Sequence, residues 1–484
     1  MTGLRAEWCK FRTVRGWVVG TTSAALMMVL FALLAGISSN QQDSPAVPVG
    51  PSGGPVTDSF YFVHQPLAGN GSITVSVAAL DSTIPAGRGD LRPGIVPWAK
   101  AGLVIKRDTS QGSPYAAIMM TGSHGVRMQH DYVHDLAGPA AARWLRLERS
   151  GDAITGYAST DQANWTKVGT AQVRGLGPAP QVGLFVASPP AVGGGGTAGT
   201  VSTAVFGNLR TTNAWAGRQW SGDQVGAESP TFAGYPEQSA GSFTESGHRL
   251  TVTGAGDIAP AVRDSLPTGG QLRDILTGTF AALVVVIVVA ALFITEEYRS
   301  AMIHLTLAAN PKRGRVLAAK AVVVWAVTFV AGALGAFLAS PLGQRLAQGN
   351  GVYIFPVSWS TQLRVALGTA ALLATAAVLA LAIGTIFRQS AGAVTTVVLA
   401  IVLPYLLIAV PFVPASVSRL VATVTPGAAF AVQQTLVQYD QVASNYTPYY
   451  GYYPLPPWAG IAVLAAYALG SLALAAVLLN RRDA

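Results

Sequence analysis

The stretch FITEEYRSAMIHLTLAANPKRGRVLAAK, from Phe293 to Lys320, lies between two long apolar runs. The first run ends at Thr295. The charged residues Glu296, Glu297 and Arg299 follow it immediately, and a basic Asn-Pro-Lys-Arg-Gly-Arg sequence leads into the second run. Charged side chains are rare in the hydrocarbon layer of a bilayer. The stretch therefore predicts two membrane-spanning helices joined by a polar segment at one membrane surface.

The overall composition is typical of a membrane protein. Of 484 residues, 51% are hydrophobic and only 11% are charged. The formal net charge of +9 does not indicate nucleic acid binding, because much of the basic excess lies beside the apolar runs. At those positions basic residues set the direction in which helices cross the membrane. The single cysteine, Cys9, excludes an intramolecular disulfide.

Six apolar runs are long enough to cross a bilayer, which takes about 20 helical residues. The predicted transmembrane helices are 16–37, 276–295, 316–340, 363–386, 391–413 and 457–480. A cleaved signal peptide is the alternative for the first run. Its apolar core is longer than the roughly 7 to 15 residues of a signal peptide, which favours a retained helix. The preceding residues 1–15 are amphipathic and are expected to lie along the inner membrane surface.

The distribution of basic residues predicts the orientation of these helices, because positive charge is enriched in cytoplasmic segments. With a cytoplasmic N-terminus, the basic residues on the inside are Arg299, Lys312, Arg313, Arg315, Arg388, Arg481 and Arg482. Those outside are Arg345, Arg364 and Arg419. We therefore predict a multi-pass plasma membrane protein with both termini in the cytoplasm. Residues 38–270 and a Tyr-rich loop over 414–456 are expected outside.

The large segment between the first two helices has a different pattern. Residues 38–55 read as a Pro/Gly/Ser-rich linker. From residue 56 to about 265, short runs of alternating apolar and polar residues are separated by Gly, Asp and Asn. This alternation predicts an extracellular, all-β, antiparallel sandwich inserted between transmembrane helices 1 and 2. Residues 212–265 either complete the sheets or form a stalk.

The membrane part resembles the permease subunits of ABC-2 class ABC transporters of the actinobacterial type. The residues that carry the resemblance are Leu4-Arg5-Ala6-Glu7-Trp8 with Lys10, Arg12, Thr13, Val14 and Arg15; Phe293-Ile294-Thr295-Glu296-Glu297-Tyr298-Arg299-Ser300; Leu307-Ala308-Ala309; and Arg313 to Lys320. The first outer loop of such permeases is usually short, so the inserted domain is a departure from the family pattern.

The resemblance implies a transport subunit that exports its substrate and depends on a separate cytoplasmic ABC ATPase. It also implies a dimer with itself or with a similar subunit, surrounded by membrane lipids. The sequence contains no G-x-x-x-x-G-K-[ST] phosphate-binding motif, which agrees with an ATPase on another chain. The chain is accordingly expected to have no catalytic residue, metal or cofactor of its own.

Residues 296–315 are predicted to form the coupling segment that contacts the ATPase. A short helix on the membrane surface over 296–309 would act as the lever. The residues expected to dock are Glu296, Glu297, Tyr298, Arg299 and His304. The alternative is that they only end the helix and extend to the interface. Carboxylates at a helix C-terminus oppose the helix dipole by about 0.3–1 kcal/mol each, which favours an offsetting contact.

The outer domain resembles a concanavalin A-like β-sandwich. The resemblance rests on the strands Trp98 to Ile105, Tyr115-Ala116-Ala117 and Trp144-Leu145-Arg146-Leu147, with Gly151-Asp152, Tyr157, Ser159-Thr160-Asp161 and Trp165. The resemblance concerns the fold and says little about a ligand, so substrate, glycan, lipid and a protein partner all stay open. Trp98, Trp144 and Trp165 are candidates to face a ligand, and the alternative places at least two of them in the core.

Two other functional classes remain as alternatives, and the first is a membrane-bound hydrolase. Glycoside hydrolysis needs two carboxylates about 5–10 Å apart, and the glutamates of the domain are scattered without a partner at that spacing. His130 and His134 would lie about 13 Å apart on an extended strand, too far to share one metal, although a turn would bring them together. The second class is a multi-span, membrane-anchored, lectin-like adhesion protein.

Overall fold

The computed structural model describes residues 2–85, 91–193, 196–212, 215, 219–226, 241–266, 268–300, 302, 312–408 and 413–481. The chain divides into two compact units. The first contains Met1–Pro45, Pro267–Val437 and Tyr446–Ala484, and the second contains Ala46–Leu266 and Gln438–Asn445.

The first unit is helical. Its helices are α1 (Thr2–Thr13), α2 (Arg15–Ser38), α3 (Leu272–Ile275), α4 (Gly278–Arg299), α5 (Arg313–Gly349), α6 (Trp359–Phe387), α7 (Ser390–Ile408), α8 (Ala415–Val424) and α9 (Pro457–Arg481). Among the described residues, six helices are long and apolar enough to span a membrane: α2, α4, α5, α6, α7 and α9. The six helices predicted from the apolar runs are therefore confirmed at the level of length and composition.

Two helix boundaries differ from the sequence expectation. Helix α4 continues to Arg299, so Glu296–Arg299 form its last turn rather than the start of a separate surface helix. Helix α5 has 37 residues and begins at Arg313, before the predicted start at 316. Neither charged segment interrupts its helix, because the backbone hydrogen bonds of a helix do not depend on apolar side chains.

The residues between α7 and α9 are more structured than the predicted loop over 414–456. They contain α8, with Val417, Leu420 and Val424 exposed, and a 3₁₀ helix at Pro426–Gln433. Every residue of this 3₁₀ helix is buried. The Arg364 side chain donates to the carbonyl oxygens of Val432 and Gln434, at 3.3 and 2.7 Å. The run of small residues PGAAFAV allows this close packing against α6 and α9.

Glycines allow the helices to pack closely. A Cβ atom on Gly278 of α4 would lie 2.7 Å from the Cα atom of Met28 in α2. A Cβ atom on Gly460 of α9 would lie 2.1 Å from the carbonyl oxygen of Ala428. Larger residues at these points would force the elements apart.

The second unit is an antiparallel β-sandwich, as the alternating pattern predicts. Its strands are β1 (Val56–Asp58), β2 (Phe60–Pro66), β3 (Gly71–Pro85), β4 (Leu91–Gly94), β5 (Lys100–Lys106), β6 (Tyr115–Thr121), β7 (Val126–His130), β8 (His134–Ala137), β9 (Trp144–Ser150), β10 (Ala153–Ser159), β11 (Thr166–Gln172), β12 (Gln181–Ala187), β13 (Ala191–Gly193), β14 (Gly196–Ala198), β15 (Val201–Thr211), β16 (Ser221–Val225), β17 (Ser242–Ser246), β18 (Arg249–Gly254) and β19 (Ile258–Pro260). In the first unit, β20 (Gly269–Gly270) pairs with β21 (Tyr353–Ile354) in parallel.

The described strands form two large sheets with a shared core. One sheet has the order β11-β10-β9-β3-β15-β18-β17 with β4 beside β3, and the other has the order β16-β2-β12-β5-β6-β7-β8. Side chains such as Val63, Ile118, Leu145, Leu184 and Val252 pack between them. Strands β16, β17 and β18 pair within these sheets, so the described parts of 221–254 complete the sandwich rather than form a stalk.

The outer face of the seven-stranded sheet is covered by the chain itself. Strands β1 and β19 form an antiparallel ribbon, and Val56 and Ile258 of this ribbon pack with Phe60, Phe62 and Phe185.

Two buried lysines at opposite ends of β5 hold the ribbon in place. Lys106 Nζ lies 2.6 Å from Asp58 Oδ2, and Lys100 Nζ lies 2.5 Å from Asp257 Oδ1. The first and last strands of the unit are thereby both joined to its central strand β5.

Candidate functional site

A cluster of four charged residues, three of them buried, joins α1 to the adjoining ends of α4 and α5. Lys320 Nζ of α5 lies 2.7 Å from Glu7 Oε2 of α1 and 2.6 Å from Glu297 Oε1 of α4. Lys10 Nζ of α1 contacts the same Glu297 oxygen. Glu7, Glu297 and Lys320 are at most 6% exposed. Two lysines and two glutamates thus form a cluster whose formal charges balance.

The sequence positions explain how this cluster forms. Glu7 and Lys10 are three residues apart on α1, so they share one face of that helix. Glu297 lies in the last turn of α4, and Lys320 lies about two turns into α5. The short link from α1 to α2, which contains only Val14, keeps α1 beside the helix ends.

Aromatic rings cover the apolar side of the cluster. The Phe293 ring lies 5.6 Å from the ring of Phe11 and 4.8 Å from that of Trp17, measured between centroids. Lys320 Nζ lies 4.8 Å from the Phe293 centroid, within the range of a cation–π contact. These rings exclude water, which strengthens the ion pairs and makes an unpaired charge there costly.

Two groups of the cluster are in unusual electrostatic surroundings. Burial, followed by repulsion from Lys320, lowers the pKa of Lys10 to about 8. Glu297 Oε2 is buried and has no hydrogen-bond partner among the described residues. Lys10, whose pKa is lowered, is thus also the residue that joins α1 directly to Glu297 of α4.

The structure changes the interpretation of the predicted docking residues. Glu297 points into the cluster rather than towards a partner, which corrects its expected surface position. Glu296 accepts a 3.1 Å hydrogen bond from Arg299 Nη2, and the Arg299 side chain is 81% exposed. Tyr298 is half-buried, and the guanidinium carbon of Arg388 lies 5.2 Å from its ring centroid. His304 lies outside the described residues.

Sequence reasoning missed Glu7, Lys10 and Lys320 as site residues. A signal was nevertheless present, because Lys320 is a charged residue inside a predicted span. Such a residue normally faces a polar partner within the bundle. The partner could not be identified from spacing alone, since Lys320 and Glu7 are 313 positions apart.

The three tryptophans of the sandwich occupy different surroundings. Trp98 is 6% exposed, and its ring stacks on His124 with the centroids 3.9 Å apart. Trp144 and Trp165 are half-buried, so the alternative that placed at least two of the three in the core is wrong. The guanidinium carbon of Arg146 lies 4.0 Å from the Trp165 ring centroid. A ligand-facing role for these residues stays a prediction.

The segment around His130 and His134 forms a hairpin instead of one strand. Asp131 and Tyr132 have positive φ angles of 48° and 69°, which turn the chain between β7 and β8. The two histidine rings stack across the hairpin with their centroids 4.3 Å apart. Within the described ranges, no group of three or more His, Cys, Asp or Glu side chains is able to hold a metal ion.

Comparison with known proteins identifies no family. No protein-family model matches the chain, and no curated protein matches it. One solved structure to which it is similar is a functionally unknown protein from Saccharomyces cerevisiae. That match is 13% identical, covers 32% of this chain and 74% of the other, and has a TM-score of 0.19.

Proposed function

We propose that this chain is the membrane-spanning permease subunit of an ABC-2 type transporter, which exports a substrate with ATP hydrolysed by a separate cytoplasmic ATPase. The observation that carries the proposal is the Glu7–Lys320–Glu297 ion-pair cluster in and beside the last turn of α4, where Glu296 and Arg299 are exposed. The subunit pairs with a second copy or a similar subunit, and both of its termini lie in the cytoplasm.

The cluster meets a physical requirement of such a transporter. When the ATPase is a separate chain, its movement must reach the spanning helices through contacts at the membrane surface. The ion pairs connect α1, α4 and α5 through buried groups. Removing one partner of a buried pair destabilises a protein by about 3–5 kcal/mol, because the other charge is left uncompensated. A push on one of these helices is therefore transmitted to the other two rather than lost in local bending.

The docking surface in this proposal is the last turn of α4. Glu296 and Arg299 present a carboxylate and a guanidinium close together, with side chains 45% and 81% exposed. An exposed pair of this kind contributes only about 0–1 kcal/mol to stability. Glu296 and Arg299 can therefore separate at little cost and pair with charges on the ATPase instead. Glu297 of the same turn then has the different role of joining the docking turn to α5.

The β-sandwich is proposed to be a concanavalin A-like domain outside the cell, which binds substrate, a glycan or a protein partner. The half-buried Trp144 and Trp165, with Arg146 against the Trp165 ring, offer apolar and cationic surface together. Tryptophan faces suit sugar rings and other flat apolar groups.

Co-purification of the full-length chain with its ATPase tests the docking surface. We expect Glu296→Arg and Arg299→Glu each to abolish co-purification. The double variant Glu296→Arg/Arg299→Glu restores the internal ion pair with reversed polarity, but it presents the wrong charges to the ATPase, so we expect no recovery. Arg345→Glu, an exposed arginine near the opposite end of α5, is the control and should co-purify normally.

Two results would contradict the docking assignment. In the first, both single variants retain the ATPase at the level of the unmodified chain. In the second, the double variant co-purifies with the ATPase as well as the unmodified chain does, which would mean that the pair only stabilises the C-terminal end of α4.

A further inference from the structure

A groove of about 450 Å³ lies between α1, α2 and α5, a size typical of a ligand site. Its lining includes Trp8, Phe11 and Arg12 of α1, Val18 of α2, and Val330 and Leu334 of α5. The residues from α1 lie near the charge cluster. Those from α5 extend from Ala326 to Leu334, which is about 12 Å along the helix axis. The groove thus runs from one end of the bundle towards its apolar middle.

The groove has apolar walls along most of its length and a charged residue at the end formed by α1. The Thr21 hydroxyl donates to the carbonyl oxygen of Trp17 at 2.8 Å, so it presents little free polarity. The walls formed by Val18, Val330 and Leu334 are apolar, and these three residues are at least 39% exposed. A lipid acyl chain would pack favourably along these apolar walls.

Arg12 supplies the single charge at the α1 end of the groove. It is exposed, and it has no hydrogen-bond or ion-pair partner among the described residues. Arg5 and Arg15 are also exposed on the adjoining turns, which makes this end positive. Trp8 lies beside Arg12 with 47% of its surface exposed, and such amphipathic rings favour the headgroup level of a bilayer.

We propose that this groove binds one anionic phospholipid. The phosphate lies against Arg12, and one acyl chain lies along Val18, Val330 and Leu334. The positive charge of Arg5, Arg12 and Arg15 at this end favours an anionic headgroup over a zwitterionic one, in which an ammonium group offsets the phosphate. The bound lipid would hold α1 against α5 beside the Glu7–Lys320 ion pair. The proposal requires that α2 and α5 span a membrane, and it does not depend on an ATPase partner.

Native mass spectrometry of the full-length chain with phosphatidylglycerol and phosphatidylcholine of identical acyl chains tests this site. We expect one phosphatidylglycerol to be retained in preference to phosphatidylcholine. Arg12→Gln should weaken phosphatidylglycerol binding about fivefold, the effect of one basic residue at an anionic surface. Arg315→Gln, an exposed arginine outside the groove at the same end of α5, is its matched control and should bind normally.

A second pair of variants tests the apolar part of the groove. Val330→Trp fills the groove and should abolish lipid retention. Val322→Trp places the same side chain on the same helix outside the groove, at a position of similar exposure, and should leave retention unchanged.

Four results would overturn the proposal. They are the retention of no lipid, equal retention of the two lipids, equal loss in all four variants, and disruption of a dimer by Val330→Trp without loss of lipid. The last result would assign the groove to a second copy of the chain.

Discussion

Lys320 and Glu297 form a 2.6 Å ion pair between α5 and α4, and both side chains are almost completely buried. Lys320 also binds Glu7 of α1, so one ammonium group joins three helices. Through this pair, the carboxylate of Glu297 in the polar segment is buried inside the protein. This leaves Glu296 and Arg299 as the exposed charges of the same turn.

The first prediction concerns the energy of this pair. Glu297→Gln should destabilise the helical unit by about 3–5 kcal/mol, because Lys320 is left buried with less compensation. Glu296→Gln, one residue earlier and exposed, should cost no more than about 1 kcal/mol. Thermal unfolding of the purified full-length chain, followed by tryptophan fluorescence, measures both changes. Equal stability of the two variants would show that the pair contributes nothing.

The second prediction concerns the pH dependence at Lys10. Burial and repulsion from Lys320 lower the pKa of Lys10 to about 8 from the usual lysine value of 10.5. Between these two pH values, the folded chain binds fewer protons at Lys10 than the unfolded chain, so the folded state becomes more stable as the pH rises from about 8. Below pH 8, Lys10 is protonated in both states, so it does not change the free energy of unfolding with pH.

The difference between the unmodified chain and Lys10→Met isolates this contribution, since other titrating groups are common to both proteins. The thermal stability of the unmodified chain should increase relative to the variant between pH 8 and 10.5. A difference that is constant over this range would contradict the lowered pKa. A difference of opposite slope would mean that folding stabilises the charged lysine.

The third prediction concerns the ribbon β1–β19 of the sandwich. Asp58→Asn should leave Lys106 buried without its carboxylate and weaken the attachment of β1 to β5 by about 3–5 kcal/mol. Asp108→Asn affects an exposed pair with Arg107 and should change stability by at most about 1 kcal/mol. Hydrogen exchange of the β1 and β19 amides in the full-length chain measures the effect. Unchanged protection in Asp58→Asn would show that the apolar contacts alone hold the ribbon.

The fourth prediction uses two glycines of α9. Gly460→Ala should destabilise the chain by about 1–3 kcal/mol, because its Cβ would meet the carbonyl oxygen of Ala428 at 2.1 Å. Gly470→Ala meets no atom within 4 Å and should stabilise the same helix by about 0.5–1 kcal/mol. Opposite shifts in the unfolding temperature are therefore expected. Stabilisation by both substitutions would contradict the close packing of α9 on the 3₁₀ helix.

The spans and the sandwich were predictable because each follows from a local periodicity. A run of about 20 apolar residues has few alternatives to a spanning helix. Alternation over 56–265 likewise predicts strands, whichever strands pair. The turn at Asp131 and Tyr132 stayed an open alternative to one extended strand, because neither residue is a glycine and positive φ angles at two such positions are uncommon. The 3₁₀ helix at Pro426–Gln433 was missed because its short, small-residue sequence has no clear helical period.

The sequence alone determined the class of this protein: six apolar helices and an antiparallel β-sandwich, separated by charged segments. Only the tertiary structure decided what the charges do. Hydrophobic periodicity acts over neighbouring residues, whereas the partner of a buried charge is set by which helix ends meet. Lys320 and Glu7 are 313 residues apart, and only their folded helices bring them to 2.7 Å. The same packing turned Glu297 inward and left Arg299 exposed, although both belong to one helical turn.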